Sequence, residues 1–422
     1  MNQNLIITSQ NGIESIDNFF ESLDVPVQQD GDGSSTKDIA SMKIKTYTAN
    51  SDGYVGLKEI LSVHKVTYKG IMYQVHTSQG DVTLSPNDQV YVVTSSRGKK
   101  MSLLKRKVRE LNQDDYILMP RGQSDIGNYV KLPYHTFFQC VHCGRIANGG
   151  KRKQCKGCNK WHWHKGTTKT WIELNEKLAY FVSLVLSDGH MMKNDYTIEF
   201  CGNDRKLIDV FSKLAFDLFG LETHEYDENR SDMYRVRLNS KLVCQLLELI
   251  GVPRGKKSKT IRFPKVIEKS PITVIAAFMA GLIDGDGNLN EGRWRIATGS
   301  YEFAEDMQTL MRFLGLSCSF SVNKPSKTGV KNGGASYAIR FPNWQLILPL
   351  LNGTRFEGKL PIKKLARVRY RARILSITEV PYNGPVYYLT VEGNSSYVIN
   401  GMVVGHRDRS LVPHLTHRTK IV

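Results

Sequence analysis

The chain has no uncharged apolar run approaching the roughly 18 residues that a membrane-spanning helix needs. Its longest candidates, Leu178–Leu186 and Val274–Ile283, are about half that length, so no membrane partner is expected. Met1-Asn-Gln-Asn carries no basic segment ahead of an apolar stretch, which argues against a secretory signal. Acidic residues are few beside the basic ones: Asp+Glu 40 against Lys+Arg 58 leaves a formal charge of +18. Such a surplus on a folded chain attracts polyanions, nucleic acid first. The plainer reading, a merely soluble basic protein, stays open at this point. Cysteines number seven, an odd count, and four of them are clustered. That pattern suits metal in a reducing intracellular compartment, cytoplasm or nucleoid or a eukaryotic nucleus, better than a disulfide framework. A length of 422 residues with 41% apolar and 23% charged composition is ordinary for about three globular domains.

The first 120 residues read as mostly β. Asn4-Leu-Ile-Ile-Thr is a strand candidate, Ile16–Leu23 a short helix, and Val25–Lys37 a polar loop. Met72–Thr77 and Val82–Leu84 alternate about the hairpin signal Ser78-Gln-Gly-Asp, and Gln89–Thr94 is a further strand. From Arg121 to about Lys169 the composition shifts to Cys, Lys, His and Trp. Helical periodicity runs from Leu174 to about Leu351. β character returns near Arg373, with Val386–Val391, a turn at Glu392-Gly-Asn and Ser396-Tyr-Val-Ile, before a basic tail from Ser410. The β segments therefore form either two domains or one domain interrupted by an insertion.

The helical block repeats itself. Leu184-Val-Leu-Ser-Asp-Gly matches Leu282-Ile-Asp-Gly-Asp-Gly at an offset of 98 residues (184 to 282). Phe219-Gly-Leu matches Leu314-Gly-Leu at 95 (219 to 314), and Tyr234-Arg-Val-Arg-Leu matches Tyr337-Ala-Ile-Arg-Phe at 103 (234 to 337). Two copies are too few for a solenoid; a pseudo-two-fold pair suits a ligand with its own dyad, such as duplex DNA. Each copy opens with a helix ending in Asp-Gly. Ala280 and Gly281, with Ser183 at the place matching Gly281, would let the two helices approach closely. Asp188 and Asp286 would then emerge side by side. Two carboxylates at helix C-termini repel each other and oppose both dipoles. Mg²⁺, with its oxygen ligands and retained waters, would relieve both costs and suggests metal-assisted phosphodiester hydrolysis. A single such Asp-Gly would be read as a helix stop with a solvated Asp.

Met279-Ala-Gly-Leu-Ile-Asp-Gly-Asp-Gly287 resembles the signature of LAGLIDADG homing endonucleases of the intein-borne type, and Phe181-Val-Ser-Leu-Val-Leu-Ser-Asp-Gly189 a weaker second copy. The resemblance covers about residues 174–365. It implies two αββαββα halves with strands forming a saddle over DNA, and catalytic acids at Asp188 and Asp286. It also implies double-strand cleavage across the minor groove with short 3′ overhangs, by a monomer with an internal pseudo-dyad on a long recognition site. Leu186 replaces the acid at the sixth position of the first motif. Intein-type members also carry a basic residue near a proline late in each half; Lys259, before Pro264, and Lys359, before Pro361, are the nearest matches. Such a cation could offset charge on the scissile phosphate or simply contact a phosphate. Arg237 and Arg340, at matched places in the repeat, are expected DNA contacts.

The flanks resemble inteins as well. Asn4–Ile16, Tyr73–Gly80 with Ser85-Pro-Asn-Asp88, and Val386–Asn394 with Val398–Val404 resemble opening, second and closing intein blocks of a Hint (hedgehog/intein) β fold split by a nuclease. Splicing needs a Cys or Ser at the start, and Met1-Asn2 stands there. Ser85 and Asp88 take the places of the Thr and His that polarise the scissile amide. The end reads Val404-Gly-His-Arg-Asp408, without the cyclising Asn. A scaffold inactive in splicing is expected, since a fold outlives its chemistry.

Cys140-Val-His-Cys143 and Cys155-Lys-Gly-Cys158 give C-x₂-C-x₁₁-C-x₂-C, the pattern of a tetrahedral structural Zn²⁺. Lys151, Arg152, Lys153, Lys156 and Lys160, interleaved with tryptophans, are expected to track DNA phosphates, although a ribbon that merely braces the linker would look similar.

The expected fold is an α+β multidomain chain, a β-rich Hint-like domain split by a pseudo-two-fold αββαββα LAGLIDADG endonuclease domain, plus a small zinc ribbon. Its segments are 1–120 and 373–409 (Hint-like), 121–172 (zinc ribbon), 173–268 and 269–372 (the two repeats) and 410–422 (basic tail). The expected activity is site-specific cleavage of double-stranded DNA with Mg²⁺ as catalytic and Zn²⁺ as structural metal. The alternatives are a non-cutting DNA-binding relative and an intein that retains partial self-processing.

Overall fold

A computed structural model describes residues 4–29, 33–49, 54–94, 102–120, 127–134, 137–140, 142, 146–148, 158, 160, 163–165, 171–226, 233–290, 293–323, 336–342, 346–356, 371–393 and 396–405. The chain divides into two compact units, one of Met1–Ile126, Thr309–Cys318 and Val368–Val422, the other of Gly127–Gln308 and Ser319–Arg367. Among the described residues, no helix is long and apolar enough to cross a membrane.

The first unit is mostly β, with the short Ile16–Ser22 helix, which Ser15 caps by accepting from Asn18 N. Its organising feature is a pair of long strands, Val55–Thr77 and Arg371–Val391, paired antiparallel from Thr77↔Ile374 to Ile60↔Val391. Chain separated by some three hundred residues thus builds one ladder, and the choice between two β domains and one interrupted domain falls to the latter. Asn400 tightens the closure. Its side chain accepts from Leu5 N at 2.6 Å and donates to Asp81 O at 2.8 Å. Ile6, Phe19, Ile60, Val63, Val92, Ile117, Leu389 and Ile399 share the core. The polar stretch 25–37, expected as loop, contributes short strands at Gln28–Gln29 and Ser35–Asp38, the latter pairing with Ser62–Lys65. Ladder hydrogen bonds supplied by the long strand outweigh the weak local β preference of Ser, Lys and Asp.

The second unit runs helix–strand–strand–helix–strand–strand twice, and among the described residues only the first copy adds a closing α-helix. Helix Glu176–Leu186 leads into strands Gly189–Met191 and Thr197–Gly202, helix Arg205–Phe219, strands His224–Glu225 and Tyr234–Asn239, and helix Lys241–Ile250. Helix Ile272–Asp286 leads into strands Gly287–Asn290 and Arg293–Thr298, helix Tyr301–Phe313, whose residues from Thr309 are counted with the first unit, and strands Ser319–Asn323 and Ser336–Pro342. Each four-stranded sheet takes its strands in the order first, second, fourth, third. The two leading helices are buried along nearly their whole length. A surface helix would show one apolar stripe; these are apolar all round because each packs on several sides.

Candidate active site

The leading helices meet where their side chains are smallest. A β-carbon built on Gly281 would lie 1.9 Å from Ser183 Oγ and 2.9 Å from Tyr180 O, and one on Gly285 would lie 2.0 Å from Ser187 Oγ. Glycine at both positions is what lets the backbones close to this distance. The same β-carbon on Gly285 would stand 3.6 Å from Asp188 Oδ2, so the carboxylate of the first repeat reaches the end of the second repeat's helix. Asp188 and Asp286 line one cavity of about 600 Å³ with Cys201, Asn203, Asp204, Asp284 and Thr354. Asp188 is half-buried and Asp286 exposed. The two acids singled out from the repeat are thereby brought together.

Asp284, the other acid of the second motif, has a different task. It is buried, its Oδ2 accepting from Tyr180 Oη at 2.5 Å and Asn352 N at 2.7 Å, its Oδ1 from Gly353 N at 3.0 Å. A carboxylate so engaged has little capacity left for a cation. Asp204 caps helix Arg205–Phe219 and accepts from Thr354 N and Oγ1, both at 2.6 Å. Burial works against its charge, but the bonds from Thr354 hold the carboxyl below its ordinary range. One acid from each repeat therefore pins the segment 352–354 at the rim of the cavity.

The basic residue at the acids is Lys257, which sequence reasoning misses. Its Nζ donates to Val185 O at 2.5 Å and Ser187 O at 3.0 Å, at the C-terminal end of the first leading helix. There a cation meets unpaired carbonyls and the negative end of the helix dipole. Burial pushes the amine down to about 8, while Asp286 and Asp188 draw it partly back. Lys259 is exposed two residues on, and Lys359 lies outside the described residues. No spacing rule distinguishes Lys257 within Gly255-Lys-Lys-Ser-Lys259; its reach depends on the loop that Gly255 begins at φ +71°. Cys201 borders the acids too, its Sγ 3.5 Å from Asp188 O, and burial together with Asp188 pushes the thiol up.

The remaining expected residues fall in several places. Arg237 bonds Glu199 Oε2 at 3.0 Å, and Arg340 is exposed on its strand. Lys160 is exposed, while Lys151, Arg152, Lys153 and Lys156 lie outside the described residues. Of the four clustered cysteines, Cys140 and Cys158 have sulfurs 3.5 Å apart without a bond between them; Cys143 and Cys155 lie outside the described residues. Among the described residues no three His, Cys, Asp or Glu side chains form a metal-holding group.

In the β unit, Ser85 and Asp88 close a turn on themselves. Ser85 N donates to Asp88 Oδ2 at 2.7 Å and Asp88 N to Ser85 O at 3.1 Å. Asp88 borders a narrow cleft with Asn4, Thr83, Tyr387, Tyr388 and Gly405. A carboxylate that accepts from its own turn cannot donate to an amide as an imidazole would.

Among curated proteins, a DNA polymerase of Thermococcus sp. is 26% identical over 363 residues, 72% of this chain and 21% of that protein. The chain spans between 10% and 39% of the length of the first curated relatives it matches. Among solved structures, the homing endonuclease I-DmoI in complex with DNA and Mn matches 40% of this chain and 90% of its own, at 16% identity and TM-score 0.28. The KlbA intein precursor from Methanococcus jannaschii matches 29% of this chain and 66% of its own, at 22% identity and TM-score 0.25. The intein splicing domain family model matches residues 6–407. By that match, the chain belongs to the intein splicing domain family.

Proposed function

We propose that the second unit is a LAGLIDADG-type, site-specific endonuclease that hydrolyses both strands of duplex DNA. The observation that carries this reading is the convergence of Asp188 and Asp286 on one cavity at the ends of closely packed helices. The two carboxylates fit a hard cation: both offer oxygen, and Lys257 alone does not neutralise the pair. Mg²⁺ held there would activate water and offset charge on the reacting phosphate. The chain's own groups do the rest. Asp284 and Asp204 fix the rim, Lys257 places a cation beside the acids, and the surplus of +18 favours a phosphate backbone. The test of the reading is Mg²⁺-dependent cleavage of duplex DNA carrying the uninterrupted target.

Lys257 is the basic partner in this reading, in preference to Lys259. Lys257→Met is expected to lower the cleavage rate about 100- to 1000-fold, as for loss of one preorganised charge donor, while Lys259→Met lowers it less than about tenfold. Single-turnover rates on saturating duplex read the difference. Equal losses in the two variants would remove Lys257 from its assigned place.

The β unit serves in this reading as a scaffold without splicing activity, because Asp88 is occupied in its own turn. Intact mass of the expressed chain tests that, and excised fragments would contradict it. The Cys140–Cys158 separation is near the edge of about 3.8 Å expected between two thiolates around tetrahedral Zn²⁺. One zinc per chain, lost in Cys140→Ser, is the expected metal analysis; a metal-free wild type would count against the ribbon.

A further inference from the structure

The two sheets of the second unit differ in charge at equivalent positions. In each, the face opposite the core carries a row that crosses all four strands. The first repeat's row is His190–Glu199–Arg237–His224. In the second it is Asn288–Arg295–Arg340–Ser319. The rows match strand for strand, counted from the strand that follows each catalytic acid. Ile198, Phe200 and Val236, and likewise Trp294, Ile296 and Ile339, are buried in the core.

The first row is satisfied internally. Arg237 Nε lies 3.0 Å from Glu199 Oε2, the Tyr226 hydroxyl donates to the same carboxylate, and the guanidinium sits 3.8 Å over the Tyr226 ring. In the second row Glu199 is replaced by Arg295, directly opposite Arg340. Among the described residues neither guanidinium has an ion-pair or hydrogen-bond partner, and Arg295 Nε is buried unpaired. Like charges facing each other across a ladder destabilise a sheet. A sheet that keeps two of them, one with a buried unmet donor, is completed by acceptors from outside.

We propose that Arg295 and Arg340 read guanines in the major groove of one half of the DNA target, and that the first repeat makes no matching base contact with Arg237. This rests on the duplex-DNA reading above. A β-ribbon fits the major groove, where guanine alone presents the adjacent O6 and N7 acceptors that a guanidinium fork engages. The asymmetry of the rows then becomes an asymmetry of the target, with fixed guanines on the half bound by the second repeat. Arg237, already holding Glu199 and stacked on Tyr226, would have to give up both to reach a base.

Selection of bound duplexes from a randomised pool tests this, using the full chain with Asp188→Asn so that bound DNA is not cut. The expected result is guanine at two positions of one half-site, without counterparts at the mirrored positions. Arg295→Ala and Arg340→Ala should each reduce discrimination at one of those positions about 5- to 150-fold. Arg340→Lys should lose the preference yet keep the salt dependence, because an ammonium holds charge without the fork. Arg237→Ala should leave the selected bases unchanged. The free alanine variants should unfold no lower in temperature than the parent, since each removes a like-charge contact. Alanine variants that weaken binding to every sequence equally and flatten the salt dependence would place both arginines on phosphates and overturn the proposal. A parent that selects no sequence would overturn the DNA reading as well.

Discussion

Asp286→Asn is expected to lower double-strand cleavage at least about 1000-fold, a barrier increase of roughly 4 kcal/mol, while duplex affinity stays equal or rises. The two effects separate because they have different sources. Affinity in a chain of charge +18 comes mainly from cations on phosphates. Removing one negative charge from the cleft can only strengthen that field. The rate, by contrast, needs two anionic oxygen ligands, and an amide oxygen is a poor substitute in holding a divalent cation. Asp188→Asn should behave alike, because both carboxylates border one cavity. Asp284→Asn should differ: its acid is occupied by Tyr180, Asn352 and Gly353, so its cost falls first on folding stability. A variant of Asp286 that cuts at the parental rate would remove it from catalysis.

Gly281→Val is expected to cost about 3 kcal/mol or more in stability, at the upper end for overpacking a core. For a unit of this size that corresponds to roughly 6–12 °C in melting temperature. The added β-carbon would fall 1.9 Å from Ser183 Oγ and 2.9 Å from the carbonyl of Tyr180. The hydroxyl could be removed, but the carbonyl belongs to a helix that cannot shift without moving Asp188. Ser183→Ala should therefore restore part of the stability of Gly281→Val and little of its cleavage. Thermal unfolding of the single and double variants reads this directly. An unchanged melting temperature for Gly281→Val would mean that the helices are not in close contact.

The features most legible in the sequence are those written in local spacing. Two Asp-Gly endings, small residues one turn earlier and matched segments downstream are enough to place Asp188 and Asp286 at one site. The Ile16–Ser22 helix and the hairpin after Thr77 are equally visible, because capping and turn residues act over a few positions. What stays hidden depends on distant partners. Only the last six residues of Val55–Thr77 alternate cleanly enough to be read as strand; Val55–Glu59 are held by Lys45–Ala49 and the stretch from Ile60 by Arg371–Val391, which no local pattern reveals. Lys257 and Lys259 are alike in sequence, and only the path of the loop decides which amine reaches the carbonyls of Val185 and Ser187. The exchange of Glu199 for Arg295 is hidden for a related reason. The offsets between repeats shift from 98 to 95 to 103 residues along the chain, so no single offset aligns the rows, and only Arg237 and Arg340 fall within a matched segment of the sequence.

The measurement that bears most directly on the central claim is a cleavage assay with the full chain, Mg²⁺, and duplex DNA carrying the uninterrupted target. A chelator control, Asp188→Asn and Asp286→Asn would run in parallel. The account predicts a defined double-strand break with the parent chain and Mg²⁺, and none in the other three reactions. Tight, sequence-selective binding by the parent without any break would contradict it and leave the paired acids without a catalytic role.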